Sequence, residues 1–272
     1  EEEAKEVNSG HQTPTLTTNI MMPFKILVLT FLLSEHNSAQ ADILFLAHFD
    51  KKISADFAVG GNKNPVTATG VRAELPGCFG HQDDSAADIG YRTPTSSNMA
   101  FSARGTIDSR QGSIEFFLKT SWDWSTDGVG KMGNPEFLFV PLERGGYMMV
   151  YAYHHRPSGM VSLAFNLHDG KTDHSINANV SKFGKRAVAE PWKKDEWHHI
   201  VASWSPDETR LFADGKIVAN KKWQPSLALP PVANVMWVGG RRSAARRVLI
   251  DELCIRDEPL KSVSVPKKPY PA

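Results

Sequence analysis

The stretch 195–219, Asp-Glu-Trp-His-His-Ile-Val-Ala-Ser-Trp-Ser-Pro-Asp-Glu-Thr-Arg-Leu-Phe-Ala-Asp-Gly-Lys-Ile-Val-Ala, constrains the fold more than any other part of the chain. Nearly every residue of Trp197–Trp204 is β-branched, aromatic or small, which suits a pleated, half-buried surface. Ser205-Pro206-Asp207-Glu208 breaks the run, because proline donates nothing to a ladder and its neighbours favour turns. Thr209–Ala213 then alternates, with Leu211 and Ala213 on one face and Arg210 and Phe212 on the other. Asp214-Gly215 follows at once and predicts a tight hairpin, since both central residues of a type I′ turn need positive φ. The stretch therefore reads as strand, turn, strand, hairpin turn and the start of a third strand.

The same alternation recurs elsewhere. Ile43–Phe49 is an apolar run ending at Asp50. Ser113–Lys119 places Ile114, Phe116 and Leu118 on one face and Glu115, Phe117 and Lys119 on the other. Glu136–Leu142, Tyr147–His154 and Met160–Leu167 read as three successive strands, and Ser175–Val180, Val235–Val238 and Arg247–Ile255 as further ones. Residues 51–112 are rich in Gly, Pro, Asn and Ser, with short strands expected near 68–75, 88–92 and 99–101. Many short strands without a helical period predict an all-β, two-sheet antiparallel sandwich over residues 42–260. Residues 261–272 carry Pro266, Pro269 and Pro271 among lysines and read as a tail or linker.

Residues 21–41 have the layout of a secretory signal peptide. Met21 or Met22 starts it, Lys25 supplies the positive charge, Ile26–Leu33 is apolar, and Ala39-Gln40-Ala41 offers a small-x-small cleavage site. The apolar run falls well short of the ~20 residues needed to cross a bilayer, so no transmembrane segment is expected in the mature chain. Residues 1–20 are then an artefact of the assigned gene start, and a secreted, cell-surface or periplasmic protein is expected. The 272 residues carry a formal net charge of +1, which gives no general pull toward nucleic acid. Arg241-Arg242 and Arg246-Arg247 form a local basic cluster, read as a solvated rim with a polyanion contact as the alternative. Cys78 and Cys254 are the only cysteines. Export permits a bridge between them, and two buried thiols that never meet remain the alternative. Asn179-Val180-Ser181 is an acceptor triplet for N-glycosylation.

Trp197-His198-His199-Ile200-Val201, Leu211-Phe212-Ala213-Asp214-Gly215, Val238-Gly239-Gly240 and Ile250-Asp251-Glu252-Leu253-Cys254-Ile255 together resemble the laminin-G-like jelly-roll family of the concanavalin A-like lectin/glucanase superfamily. Leu46-Ala47-His48-Phe49-Asp50 looks like that family's first strand. The resemblance implies two antiparallel sheets packed face to face, with the first and last strands as neighbours. It also implies a calcium ion bridging those strands in several members, for which Asp50 and Asp251 are the candidate ligands here.

Glucanases of the superfamily carry Glu-x-Asp-x-x-Glu, and in Leu249-Ile250-Asp251-Glu252 a leucine occupies the place of the first glutamate. Strand alternation would send Asp251 and Glu252 to opposite faces, so no catalytic pair is expected. The doublets His154-His155 and His198-His199 likewise point both ways along a strand and make no zinc clip by themselves, although cross-strand partners could still complete a site. What remains is binding. Trp122 and Trp124 share a parity at a strand end, as do Tyr151 and Tyr153 on a central strand with His155 continuing the line. Aromatic rings of this kind stack on sugar faces. The expected function is a non-catalytic exported module for carbohydrate or another extracellular polymer. A protein–protein adhesion module and a diverged glycan-active enzyme are the alternatives.

Overall fold

The computed structural model describes residues 41–271 except 75, 91–96, 125–133 and 241–246. The expected signal segment and Arg241, Arg242 and Arg246 therefore lie outside the described residues. The strands are β1 (Ile43–Ala47), β2 (Phe57–Ala58), β3 (Thr67–Thr69), β4 (Val71–Glu74), β5 (Ala86–Ile89), β6 (Asn98–Ser102), β7 (Gly112–Thr120), β8 (Glu136–Pro141), β9 (Tyr147–His155), β10 (Met160–His168), β11 (Asp173–Asn179), β12 (Trp197–Trp204), β13 (Glu208–Ala213), β14 (Lys216–Lys222), β15 (Val235–Val238) and β16 (Val248–Arg256).

They form two antiparallel sheets. The nine-stranded sheet runs β14-β13-β12-β7-β16-β1-β2, with β5 and then β4 attached beside β16. The seven-stranded sheet runs β11-β10-β9-β8-β15-β6-β3. The first and last strands are neighbours, Leu46 opposite Cys254 and Ala47 opposite Leu253. The 195–219 stretch folds as its residues dictate. Ala213 pairs with Lys216 across a turn in which Asp214 has φ 50° and Gly215 φ 79°. The short strands β2, β4 and β5 give the nine-stranded sheet its extra width; β4 falls within the strand expected near 68–75 and β5 overlaps the one expected near 88–92, whereas β2 was not expected.

Between the sheets, Ile114, Phe116 and Leu118 of β7 and Ile200 and Ala202 of β12 meet Met148 and Val150 of β9 and Leu163 and Phe165 of β10 in one apolar core. The outer face of the nine-stranded sheet is covered too. Residues 261–271, expected as a tail, lie back across it as a strap. The Ser203 hydroxyl donates to the Leu260 carbonyl at 3.1 Å, and Tyr270 N–H donates to Glu252 Oε2 at 3.2 Å. His48 Nε2 donates to the Tyr270 carbonyl at 2.8 Å, and the Arg256 guanidinium lies 4.9 Å from the centre of the Tyr270 ring. This cover explains why Glu115, His199 and Cys254, all on the outer side, are nevertheless buried.

Candidate binding face and acidic cluster

Trp122 and Trp124 are each only 2% exposed. Past the end of β7 the chain turns inward, and strand parity no longer decides where side chains point. The two rings meet at 5.0 Å, Trp124 packs edge-on against Trp192 at 4.9 Å, and Phe137 closes another side at 5.8 Å. Rings enclosed in this way hold the core together and offer no face to a sugar.

The tyrosine row is placed differently. Along β9, Met148, Val150 and Ala152 enter the core, so Tyr147, Met149, Tyr151, Tyr153 and His155 line the outer face of the seven-stranded sheet. Register with β10 and β11 sets Tyr153 beside Ser162 and Asn179, and Tyr151 beside Ala164 and Asn177. Tyr151 is the most enclosed of the row; burial pushes its phenol pKa upward, and its hydroxyl bonds to the Ser175 side chain. Tyr153 is half-buried, edge-on to Tyr151 at 6.4 Å. His155 is exposed, its Nδ1 2.7 Å from the Ser158 hydroxyl in the β9–β10 turn.

Three further residues of this face escaped the sequence reading. Tyr147 is clasped between Phe139 at 5.5 Å and His168 at 4.9 Å. Its hydroxyl donates to Asp173 Oδ1 at 2.9 Å, and Asn166 Nδ2 donates to the same oxygen at 3.1 Å. Tyr147 shares its parity with Tyr151 and Tyr153, so it was legible. Asn166 and Asp173 were not, because cross-strand register brings them to it.

Asp251 and Glu252 overturn the simple alternation. A register shift separates Asp251 from Cys254, and Glu252 has φ 52°, a left-handed conformation uncommon outside glycine. With Ile250 and Leu253 both in the core, the bulge directs the two intervening acids away from it. They reach different partners. Asp251 Oδ2 accepts Cys78 N–H at 2.8 Å, whereas Glu252 lies beside His48 and Tyr270. Burial, reinforced by the Asp84 charge, pushes Asp251 up to about 7. Burial pushes Glu252 up to about 8; the nearby His48 opposes this, and Asp251 and Asp50 add to it.

Both acids lie beneath protein. Asp251 and Asp84 crowd the same space, since a methyl group on Gly77 would meet an oxygen of each. Asp50, three residues past the end of β1, accepts Ser85 N–H at 3.1 Å. Backbone amides hold these carboxylates: Asp84 Oδ2 accepts Phe79 N–H at 2.6 Å, and Asp251 Oδ1 accepts Glu252 N–H at 2.9 Å. The side chains alone do not enclose an ion: no group of three or more His, Cys, Asp or Glu is disposed as a cage among the described residues. Carbonyl oxygens and water would have to complete any coordination.

Cys78 and Cys254 are free thiols with different neighbours. The Cys78 amide bonds Asp251, and Cys254 Sγ is 2.8 Å from Arg256 Nη1. The Asn179 amide is 9% exposed and already committed. Nδ2 donates to the Lys185 carbonyl at 3.0 Å, and Oδ1 accepts from Ser181 N–H at 3.0 Å. The acceptor triplet is thus closed in the folded chain. Arg247 of the basic cluster is tied to buried Asp88 at 2.8 Å and is not a free rim charge.

An antiparallel two-sheet sandwich with a polar-aromatic outer face defines a lectin-like architecture. The chain belongs to the Laminin_G_3 family of the concanavalin A-like lectin/glucanases superfamily, whose profile matches residues 93–265. No curated protein sequence matches it significantly. Among solved structures it is similar to the botulinum neurotoxin type G receptor-binding domain, with a TM-score of 0.59 and 14% identity over 82% of this chain and 49% of that one. It is also similar to the binding domain of botulinum neurotoxin DC in complex with SialylT, with a TM-score of 0.57 and 12% identity over 82% of this chain and 49% of that one. Domain 4 of AbnA, a GH43 extracellular arabinanase from Geobacillus stearothermophilus in complex with arabinotriose, matches with a TM-score of 0.55 and 15% identity over 82% of this chain and 95% of that one. The chain spans about half the length of the toxin domains and nearly the whole of the arabinanase domain.

Proposed function

We propose that this chain is an exported, non-catalytic carbohydrate-binding module whose ligand lies on the outer face of the seven-stranded sheet. The observation that carries the reading is the Tyr151–Tyr153–His155 row of β9, with the exposed Asn177 of β11 in register beside Tyr151. The half-open Tyr153 ring, with the exposed His155 and Asn177 side chains nearby, suits a sugar face and its hydroxyls. Two fold neighbours are described with bound glycans, arabinotriose and SialylT, which supports the sugar class without selecting a sugar. The raised carboxylates Asp251 and Glu252 are each buried with separate protein partners, which argues against their sharing a glycosidic bond. Export rests on the signal-like layout of residues 21–41.

Calcium belongs to the same proposal. Asp251 with Asp84, and Asp50 beside them, would hold the ion, which would fasten the chain just past β1 and the mid-strand bulge of β16 to the 76–85 loop. Its role is structural.

The test is calorimetric titration with arabinotriose, sialylated trisaccharides and a panel of neutral oligosaccharides. Saturable binding that Tyr153→Ala removes supports the reading. Binding to an extracellular protein with no sugar dependence would favour an adhesion module, and polysaccharide turnover abolished at one carboxylate would make the chain an enzyme.

A further inference from the structure

A second site lies on the opposite sheet, independent of the sugar reading. At the start of β12 and the β13–β14 turn is a small cavity of about 190 Å³, walled by Val188, Pro191, Trp192 and Val218. His198 forms part of its lining. Trp192 stacks on the imidazole with ring centres 3.9 Å apart and planes 9° from parallel. Asp214 Oδ2 lies 3.0 Å from His198 Nδ1. An ionised carboxylate only accepts, so Nδ1 carries the proton, and the lone pair of a neutral ring is then on Nε2.

That Nε2 is buried and has no hydrogen-bond partner among the described residues. Facing it at 3.9 Å, too far for a hydrogen bond, is Glu196 Oε2. The same carboxylate accepts Lys193 N–H at 3.3 Å and lies 3.7 Å from Lys193 Nζ. Glu196 and His198 are two positions apart, which is why the extended chain turns both to one side. A nitrogen lone pair and a carboxylate oxygen confronting each other repel unless a cation stands between them. Tetrahedral bonds of about 2.0–2.2 Å to nitrogen and oxygen set two donors roughly 3.3–3.6 Å apart, so the 3.9 Å gap has to close by a few tenths of an ångström on binding, a movement open to the 45% exposed Glu196 side chain.

We propose that His198 Nε2 and Glu196 Oε2 bind a zinc-class divalent transition-metal ion, with Asp214 orienting the imidazole. Imidazole with carboxylate suits zinc, copper or nickel better than calcium. The Asp214–His198 pair repeats the outer-shell arrangement that fixes the tautomer of metal-binding histidines. Glu190 lines the same cavity and adds negative charge, while Lys216 opposes it. With two side-chain ligands, water fills the remaining positions.

The site reports on itself, because Trp192 stacks on the proposed ligand. Titrating Cu²⁺ into the full chain should quench tryptophan fluorescence saturably, and excess Zn²⁺ should reverse the quench. Glu196→Gln and His198→Gln should each raise the midpoint at least tenfold, and Asp214→Asn should raise it about tenfold. The Glu196 side chain is 45% exposed, so its variant reads the site even where the histidine variant does not fold. The proposal is overturned if wild type shows no Zn²⁺-reversible quench. It is also overturned if Glu196→Gln keeps the wild-type midpoint, which would mark His198 as an imidazolium held between two acids.

Discussion

His199 Nε2 lies 2.7 Å from Glu115 Oε1, across the β7–β12 ladder and beneath the C-terminal strap. Arg256 Nη1 donates to the other carboxylate oxygen at 2.9 Å. Burial raises the Glu115 pKa, yet the hydrogen bonds from His199 and Tyr270 and the Arg256 charge outweigh it, so the net shift is downward.

A downward shift places the benefit of this cluster above the ordinary glutamate range of about 4.5 and removes it as pH falls below. Removing Glu115 leaves the largely buried Arg256 guanidinium without its carboxylate. Glu115→Ala should cost about 3–5 kcal/mol in denaturant unfolding at pH 7, and less at pH 3.

Asp251 shifts the opposite way. A carboxyl raised from 3.8 to about 7 binds more protons when folded, so it stabilises at low pH and loses that contribution as pH climbs to about 7. In chelator, the melting temperature should therefore fall between pH 5 and pH 8. Calcium stabilises the ionised form, so its stabilising effect should be larger at pH 8 than at pH 5.5. An equal shift at both, or none at millimolar calcium, would remove Asp251 from the proposed ion site.

Trp124 and Tyr153 should separate stability from binding. Trp124→Ala opens a hole between Trp122, Trp192 and Phe137 and should cost about 3–5 kcal/mol by chemical denaturation. Tyr153→Ala, on the outer face, should leave the melting temperature within a few degrees of wild type.

Gly215 tests the hairpin. At φ 79°, a side chain strains the backbone even though the nearest atom to an added methyl, on Val265, would be an acceptable 3.4 Å away. Gly215→Ala should cost roughly 1–2 kcal/mol, measured by urea unfolding.

Local chemistry made much of this fold legible. Alternation in Ser113–Lys119 and Trp197–Trp204, and the Asp214-Gly215 turn, each dictate their own geometry, and the β1–β16 pairing followed from family resemblance. Features that depend on distant partners were hidden. The bulge at Glu252 is invisible to alternation. The inward turn after β7 buries Trp122 and Trp124, although their spacing matches an exposed row. Asn166 and Asp173 meet Tyr147 only through cross-strand register. The strap is held chiefly at Leu260 and Tyr270, so its proline-rich composition reads as a free tail.

The most direct measurement is oligosaccharide titration of wild type and Tyr153→Ala side by side, with melting temperatures recorded for both. The account predicts saturable binding by wild type and at least a tenfold loss in a variant that remains folded. Sugar binding that survives Tyr153→Ala unchanged would contradict it and move the ligand off the β9 face.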